Sequence, residues 1–173
     1  MRRVRSSAAI ALLVVSLLCS KVSLAQPGGC IEPEFRAFDF WLGEWDVTDN
    51  ATGNLAGKNS ITQLEAGCML LESWVGAGGG TGTSVNYYNP VEKQWRQLWI
   101  SAGRYSIDIS GGLEGDAMRL VGSIYPFGGA AARFRGTWTP NADGSVRQFF
   151  EQYDEDSRTW AVWFDGRYVR SEN

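Results

Sequence analysis

Ten short runs of strand character, each closed by a turn signal, constrain this chain more than any other feature. They fall at 44–48, 58–65, 69–75, 83–88, 94–101, 105–110, 117–124, 132–139, 146–153 and 159–169. Between them stand Asn50-Ala51-Thr52-Gly53-Asn54, Ala66-Gly67, the glycine-rich stretch 76–80, Asn89-Pro90, Gly111-Gly112, Pro126-Phe127-Gly128-Gly129 and Pro140-Asn141-Ala142-Asp143-Gly144. These residues tolerate positive φ or preset a turn. Regular short strands so punctuated mean an all-β sandwich or barrel. Most connections are of hairpin length, which favours an up-and-down meander over Greek-key crossovers. Such a meander leaves two open edges unless it closes on itself. The expected fold is all-β: a single antiparallel up-and-down β-barrel of about ten strands, with a sandwich as the alternative.

One helix is predicted, over 33–42, where Pro33 suits a first turn. Phe35, Phe38 and Leu42 share a face at i, i+3 and i+7, with Trp41 alongside, and Arg36 and Asp39 fall away from it. A helix this short is unstable alone and must dock its aromatic face. Plugging one end of the barrel satisfies that need, and Gly43 supplies the break before the first strand.

The N-terminus reads as a secretory signal peptide over 1–25. Arg2, Arg3 and Arg5 give a positive start, 8–18 is apolar apart from Ser16, and Ser23-Leu24-Ala25 offers small residues at the cleavage positions. An apolar run of about a dozen residues is too short to span a bilayer. Cys19 as a lipidated cysteine is disfavoured by the bulky Leu18 before it. The expectation is export, to periplasm or extracellular space, with cleavage near Ala25 and a barrel domain over 26–173. Processing would remove four basic residues and no acids from the 16 and 19 of the whole chain, leaving a net charge of −7. That charge argues against nucleic acid or an anionic membrane surface as partner of the mature form.

Cys30 and Cys68 then remain. In an oxidising compartment an even pair reads as a disulfide, the alternative being two buried thiols. With no histidine and no third cysteine, zinc lacks ligands, and no cofactor is expected.

The segment Phe38-Asp39-Phe40-Trp41-Leu42-Gly43-Glu44-Trp45-Asp46-Val47 carries a resemblance. Gly67-Cys68-Met69-Leu70-Leu71-Glu72-Ser73-Trp74, Gly82-Thr83-Ser84-Val85-Asn86-Tyr87-Tyr88-Asn89-Pro90, Trp95-Arg96-Gln97-Leu98-Trp99-Ile100 and Trp160-Ala161-Val162-Trp163-Phe164-Asp165-Gly166-Arg167-Tyr168 extend it. Together they resemble a family of small, often exported bacterial proteins of unknown function, similar to calycin-like and nitrobindin-like barrels. The resemblance implies a closed end, an open mouth and an interior cavity, and no established activity. Nitrobindin-like proteins hold haem iron through a histidine, which this chain lacks.

Strand alternation supplies the candidate site. Trp95 and Trp99 share a face of one strand with Gln97 between them, and Trp160, Val162 and Phe164 share a face opposed by Trp163. Val146, Gln148, Phe150 and Gln152 form another mixed face. Bulky rings with interspersed polar groups are how ligand cavities are lined, although a packed core plus an oligomer interface would look similar. Trp45, Trp95, Trp99 and Trp163 are the candidate aromatic walls, with Glu72 and Arg96 as polar anchors. Arg96 and Arg167 can each pair with Glu44, Glu72 or Glu151 inside the barrel, or these charges can face solvent.

Catalytic patterns are sparse. Without histidine there is no Ser-His-Asp or Cys-His system, so no residue is assigned a catalytic role. Gly78-Gly79-Gly80-Thr81-Gly82 lacks the lysine of a phosphate loop and reads as a hairpin loop, or a gate at the mouth. Asp154-Glu155-Asp156 reads as a structural turn, with an incomplete Ca²⁺ site as the alternative. Asn50-Ala51-Thr52 is a glycosylation sequon, relevant only in a eukaryotic secretory pathway.

The resulting expectation is non-covalent binding of a small, partly apolar ligand in the barrel. One alternative is a cofactor-free enzyme with Glu72 or Glu151 as general acid or base and Arg96 stabilising negative charge. The other is a partner-binding envelope protein that uses an outer aromatic face.

Overall fold

Side chains that alternate between core and solvent build ten antiparallel strands: β1 (Gly43–Asp49), β2 (Leu55–Leu64), β3 (Met69–Gly76), β4 (Thr81–Asn89), β5 (Gln94–Ser101), β6 (Tyr105–Glu114), β7 (Ala117–Pro126), β8 (Ala132–Pro140), β9 (Val146–Asp154) and β10 (Thr159–Arg170). The computed structural model describes residues 30–172. The signal segment 1–25 and its cleavage site lie outside the described residues.

Each strand pairs with its neighbour in sequence, and β1 also pairs with β10, Trp45 opposite Arg170. The sheet therefore closes into a barrel and leaves no open edge, as the meander argument requires. Odd-numbered positions of β5 (Trp95, Gln97, Trp99) and even-numbered positions of β9 (Val146, Gln148, Phe150) point inward, so their neighbours face solvent. Among the described residues no helix is long and apolar enough to cross a membrane.

One end is plugged by the N-terminal segment, and the helix expected over 33–42 is two short turns instead. α1 (Pro33–Arg36) is a single α-turn, and Asp39–Trp41 forms a 3₁₀ turn. The backbone breaks at Phe38 (φ −108°, ψ 8°), which drops that ring into the barrel. Phe38 stacks on Trp41 at 5.0 Å and meets Trp138 and Trp95 edge-on at 5.2 and 5.5 Å. These aromatic contacts, with Phe40 at 5.5 Å as a fourth, outweigh the few hydrogen bonds that a regular short helix would add. Arg36 does not fall away into solvent: it donates to the carbonyls of Phe35 and Gly67 and faces Asp39 at 3.5 Å. Gly43, at φ 127°, turns the chain from plug into β1, a conformation that penalises any residue with a Cβ.

A disulfide joins Cys30 to Cys68, Cα atoms 4.8 Å apart, so the plug is tied to the start of β3. Below the barrel's midpoint the interior is filled. Phe38, Trp41, Trp45, Leu70, Met118, Leu120 and Trp138 are all buried there.

Candidate functional site

Halfway up the barrel the inward positions turn polar. Asn59 on β2, Glu72 on β3, Ser84 and Asn86 on β4, Gln97 on β5 and Gln148 on β9 are all buried. The adjacent strands β2 to β5 place the first five side by side, in register Asn59–Trp74, Glu72–Ser84 and Asn86–Gln97. Glu72 is the centre of the group. Asn59 Nδ2 donates to its Oε1 at 2.7 Å and Ser84 Oγ to its Oε2 at 2.5 Å. Gln97 Nε2 donates to Asn86 Oδ1 at 2.9 Å, and Asn86 Nδ2 to Ser84 Oγ at 2.8 Å. Asn59 Nδ2 also reaches the Tyr168 hydroxyl at 3.3 Å.

Above this belt, toward the unplugged end, lies a cavity of about 160 Å³. Glu72, Gln97, Gln148 and Tyr168 form its polar side, and Trp74, Trp99, Tyr105, Ile107, Phe150, Trp163 and Phe164 its walls. The volume is close to that of an apolar cavity that admits benzene. The rings brace one another: Tyr105 meets Trp163 edge-on at 5.3 Å, and Trp74 meets Phe164 at 6.4 Å.

Glycines make room for four of these rings. A Cβ on Gly82 would overlap the Trp99 ring, and one on Gly57, Gly136 or Gly166 would collide with Trp74, Phe150 or Phe164. Two polar atoms in the lining have no hydrogen-bond partner, Gln148 Oε1 and Trp99 Nε1. Gln148 is only 5% exposed, and its Oε1 is covered by neighbouring atoms behind the lining surface.

Burial raises the Glu72 carboxyl from 4.5 to about 7, against the lowering effect of the Ser84 and Asn59 hydrogen bonds. Burial also holds Tyr168 well above the ordinary phenol value, with the Glu72 charge adding to it, and raises Tyr105. The site thus contains a carboxyl able to gain or lose a proton near neutral pH. It has a wall suited to a small apolar body and a polar side suited to orienting it. Among the described residues no three His, Cys, Asp or Glu side chains gather as a metal site.

The six residues singled out from the sequence are not all brought together. Glu72, Trp99 and Trp163 line the cavity. Trp45 and Trp95 point inward but lie in the filled, plugged half. Trp45 Nε1 donates to the Trp41 carbonyl at 2.9 Å, and Trp95 Nε1 to that of Glu34 at 3.0 Å. They are core, because the plug fills the space that a cavity wall would need. Arg96 faces outward and holds Asp108 through two hydrogen bonds of 2.9 and 2.7 Å, since its neighbours Trp95 and Gln97 take the inward positions.

The interior ion pairs considered from sequence are absent for the same reason. Arg167 pairs with Asp143 at 2.6 Å and Glu151 with Arg135 at 2.6 Å, both on the outer face. Glu44 accepts from Ser60 at 2.5 Å.

Trp74, Gln97, Tyr105, Gln148, Phe150, Phe164 and Tyr168 were not among the candidates. Trp74 and Gln97 were accessible to simple alternation, two residues from Glu72 and Trp99 respectively. Trp163 and Phe164 face the cavity together because the β9–β10 register shifts between Val162 and Phe164. Trp163 is the extra residue of a β-bulge, a break in alternation that periodicity does not reveal. Beyond the bulge Trp160 lies outside, with the Arg135 guanidinium 4.1 Å from its ring centroid. The acidic turn is also structural: Asp154 Oδ1 accepts the backbone N–H groups of Asp156 and Ser157, and Glu155 pairs with Arg133.

Fold and site together define a closed ten-stranded antiparallel barrel, plugged at one end and carrying a ring-walled cavity at the other. Comparison of the chain with protein-family models gives no match, and comparison with curated proteins gives none.

Proposed function

We propose that this is an exported, calycin-like barrel whose cavity binds a small, partly apolar molecule without covalent attachment. The observation that carries the reading is the ring-walled cavity of about 160 Å³ with Glu72, Gln97, Gln148 and Tyr168 on its polar side. A buried polar atom left unpaired costs about 1–3 kcal/mol, so a Gln148 side chain that turned its Oε1 toward an occupant would add to the binding. The Cys30–Cys68 disulfide supports export, since such bonds persist in oxidising compartments. Native mass spectrometry of protein taken from its own envelope or culture medium tests the reading. A non-covalent adduct released on unfolding, weakened in Gln148→Leu and in Trp99→Ala, supports it. Absence of any adduct, together with no thermal shift from a library of benzene-sized fragments, sinks it.

A second reading is favoured by one observation, the Glu72 carboxyl displaced to about 7 inside the cavity. In that reading Glu72 removes a proton from a bound substrate and returns it, acting as general base and then acid. Arg96 takes no part, because it lies on the other face of the sheet. Solvent-deuterium incorporation into a bound ligand, lost in Glu72→Gln while binding persists, distinguishes catalysis from binding alone.

A further inference from the structure

The cavity carries a carboxyl group but no basic side chain. Among its lining residues the titratable groups are Glu72 on β3, Tyr105 on β6 and Tyr168 on β10. The groups that touch Glu72 are neutral: Asn59 from β2 and Ser84 from β4, with Gln97 from β5 at 3.5 Å. The arginines nearest in sequence to the lining residues are Arg104, which is exposed before β6 and whose charge acts on Tyr105, and Arg96, Arg147 and Arg167, which hold Asp108, Asp165 and Asp143 on the outer face. An ionised carboxylate buried in this way lacks the counter-charge that buried charges normally require.

The rest of the wall supplies what a cation needs. Trp74, Trp99, Phe150, Trp163 and Phe164 present aromatic rings, whose faces attract positive charge most strongly when water is excluded. The Gln148 amide adds a neutral polar group to the same lining.

Building on the ligand-binding reading above, we propose that the occupant is a small organic cation, an alkyl- or arylammonium ion of roughly benzene's bulk. Its positive charge pairs with Glu72, and its apolar part lies among the rings. The cation supplies the missing counter-charge, so its binding draws the Glu72 proton off and strengthens as pH rises through neutrality.

Isothermal titration of the purified, oxidised protein with benzylammonium, tetramethylammonium, benzyl alcohol and benzoate tests this. At pH 8 benzylammonium should bind at least tenfold more tightly than benzyl alcohol, and benzoate should bind least. Lowering the pH to 5 should weaken benzylammonium by tenfold or more and leave benzyl alcohol unaffected. Glu72→Gln should erase the preference for the cation and keep benzyl alcohol. The pH series on the unaltered protein carries the test if that variant does not fold. Benzyl alcohol or benzoate binding as well as benzylammonium at pH 8 overturns the cation assignment and leaves the cavity-binding reading standing. If none of the four binds at millimolar concentration, both fall.

Discussion

Asn59 Nδ2 donates to Glu72 Oε1 at 2.7 Å, while Asn59 Oδ1 is buried with no partner. The amide is thus arranged to support a carboxylate, yet burial works against that charge and raises the carboxyl from 4.5 to about 7. The folded protein holds this proton more tightly than the unfolded chain does. Its contribution to stability is therefore complete below about pH 4.5 and is lost as pH rises through 7. The displacement corresponds to roughly 3 kcal/mol at alkaline pH. Glu72→Gln removes the titration at nearly constant volume. Denaturant unfolding should show the variant more stable than the parent by about 2–3 kcal/mol at pH 8, with the gap closing by pH 4.5. A gap independent of pH would place the Glu72 titration elsewhere.

Trp99 lies over Gly82 so closely that any Cβ there would overlap its ring. Gly82→Ala must push the indole into the cavity or bend β4. A stability loss of about 1–3 kcal/mol is expected from such overpacking, with an altered near-ultraviolet dichroism and weaker ligand binding. An alanine there that left both spectrum and stability unchanged would mean the ring sits elsewhere in solution.

The Cys30–Cys68 bridge closes 38 residues between plug and β3. In the chain-entropy treatment that loop is worth roughly 4 kcal/mol. The double variant Cys30→Ser/Cys68→Ser should lose about that much in urea unfolding. Hydrogen exchange should quicken first at the plug, whose own backbone hydrogen bonds are those of two short turns. Equal protection in both forms would show that aromatic docking alone holds the plug.

Much of this architecture was legible in the strand pattern. All ten strands were legible and hairpin-length connections gave the meander, because turn signals are local and depend on backbone chemistry, but Gly111-Gly112, read as a turn, lies within β6 and pairs with Leu120 and Arg119. The Cys30–Cys68 pairing was legible as the even pair that the expectation of export leaves. The site was only half legible. Trp95 and Trp99 were rightly placed on the inner face, but alternation puts Arg96, between Trp95 and Gln97, on the opposite face, so it could not join them as an anchor. Depth was hidden too: Trp45, Trp95 and Trp99 all point inward, yet the plug fills the space beside the first two. The bulge at Trp163 depends on the pairing with β9, a non-local property with no signature in the strand's own residues.

Arg96 provides the sharpest check on that assignment of faces. Its guanidinium and the Asp108 carboxylate are both partly open to solvent, at 44% and 31% side-chain exposure. An ion pair in that setting contributes at most about 1 kcal/mol, because water already solvates both partners well. Arg96→Ala should therefore cost less than about 1 kcal/mol in unfolding experiments. Since the side chain lies across the sheet from the cavity, the variant should bind benzylammonium with the parent's affinity. Glu72→Gln, one face away on β3, should instead remove the preference for that cation. A loss of tenfold or more in Arg96→Ala would require β5 to be shifted by one residue, which would turn Trp95, Gln97 and Trp99 outward as well.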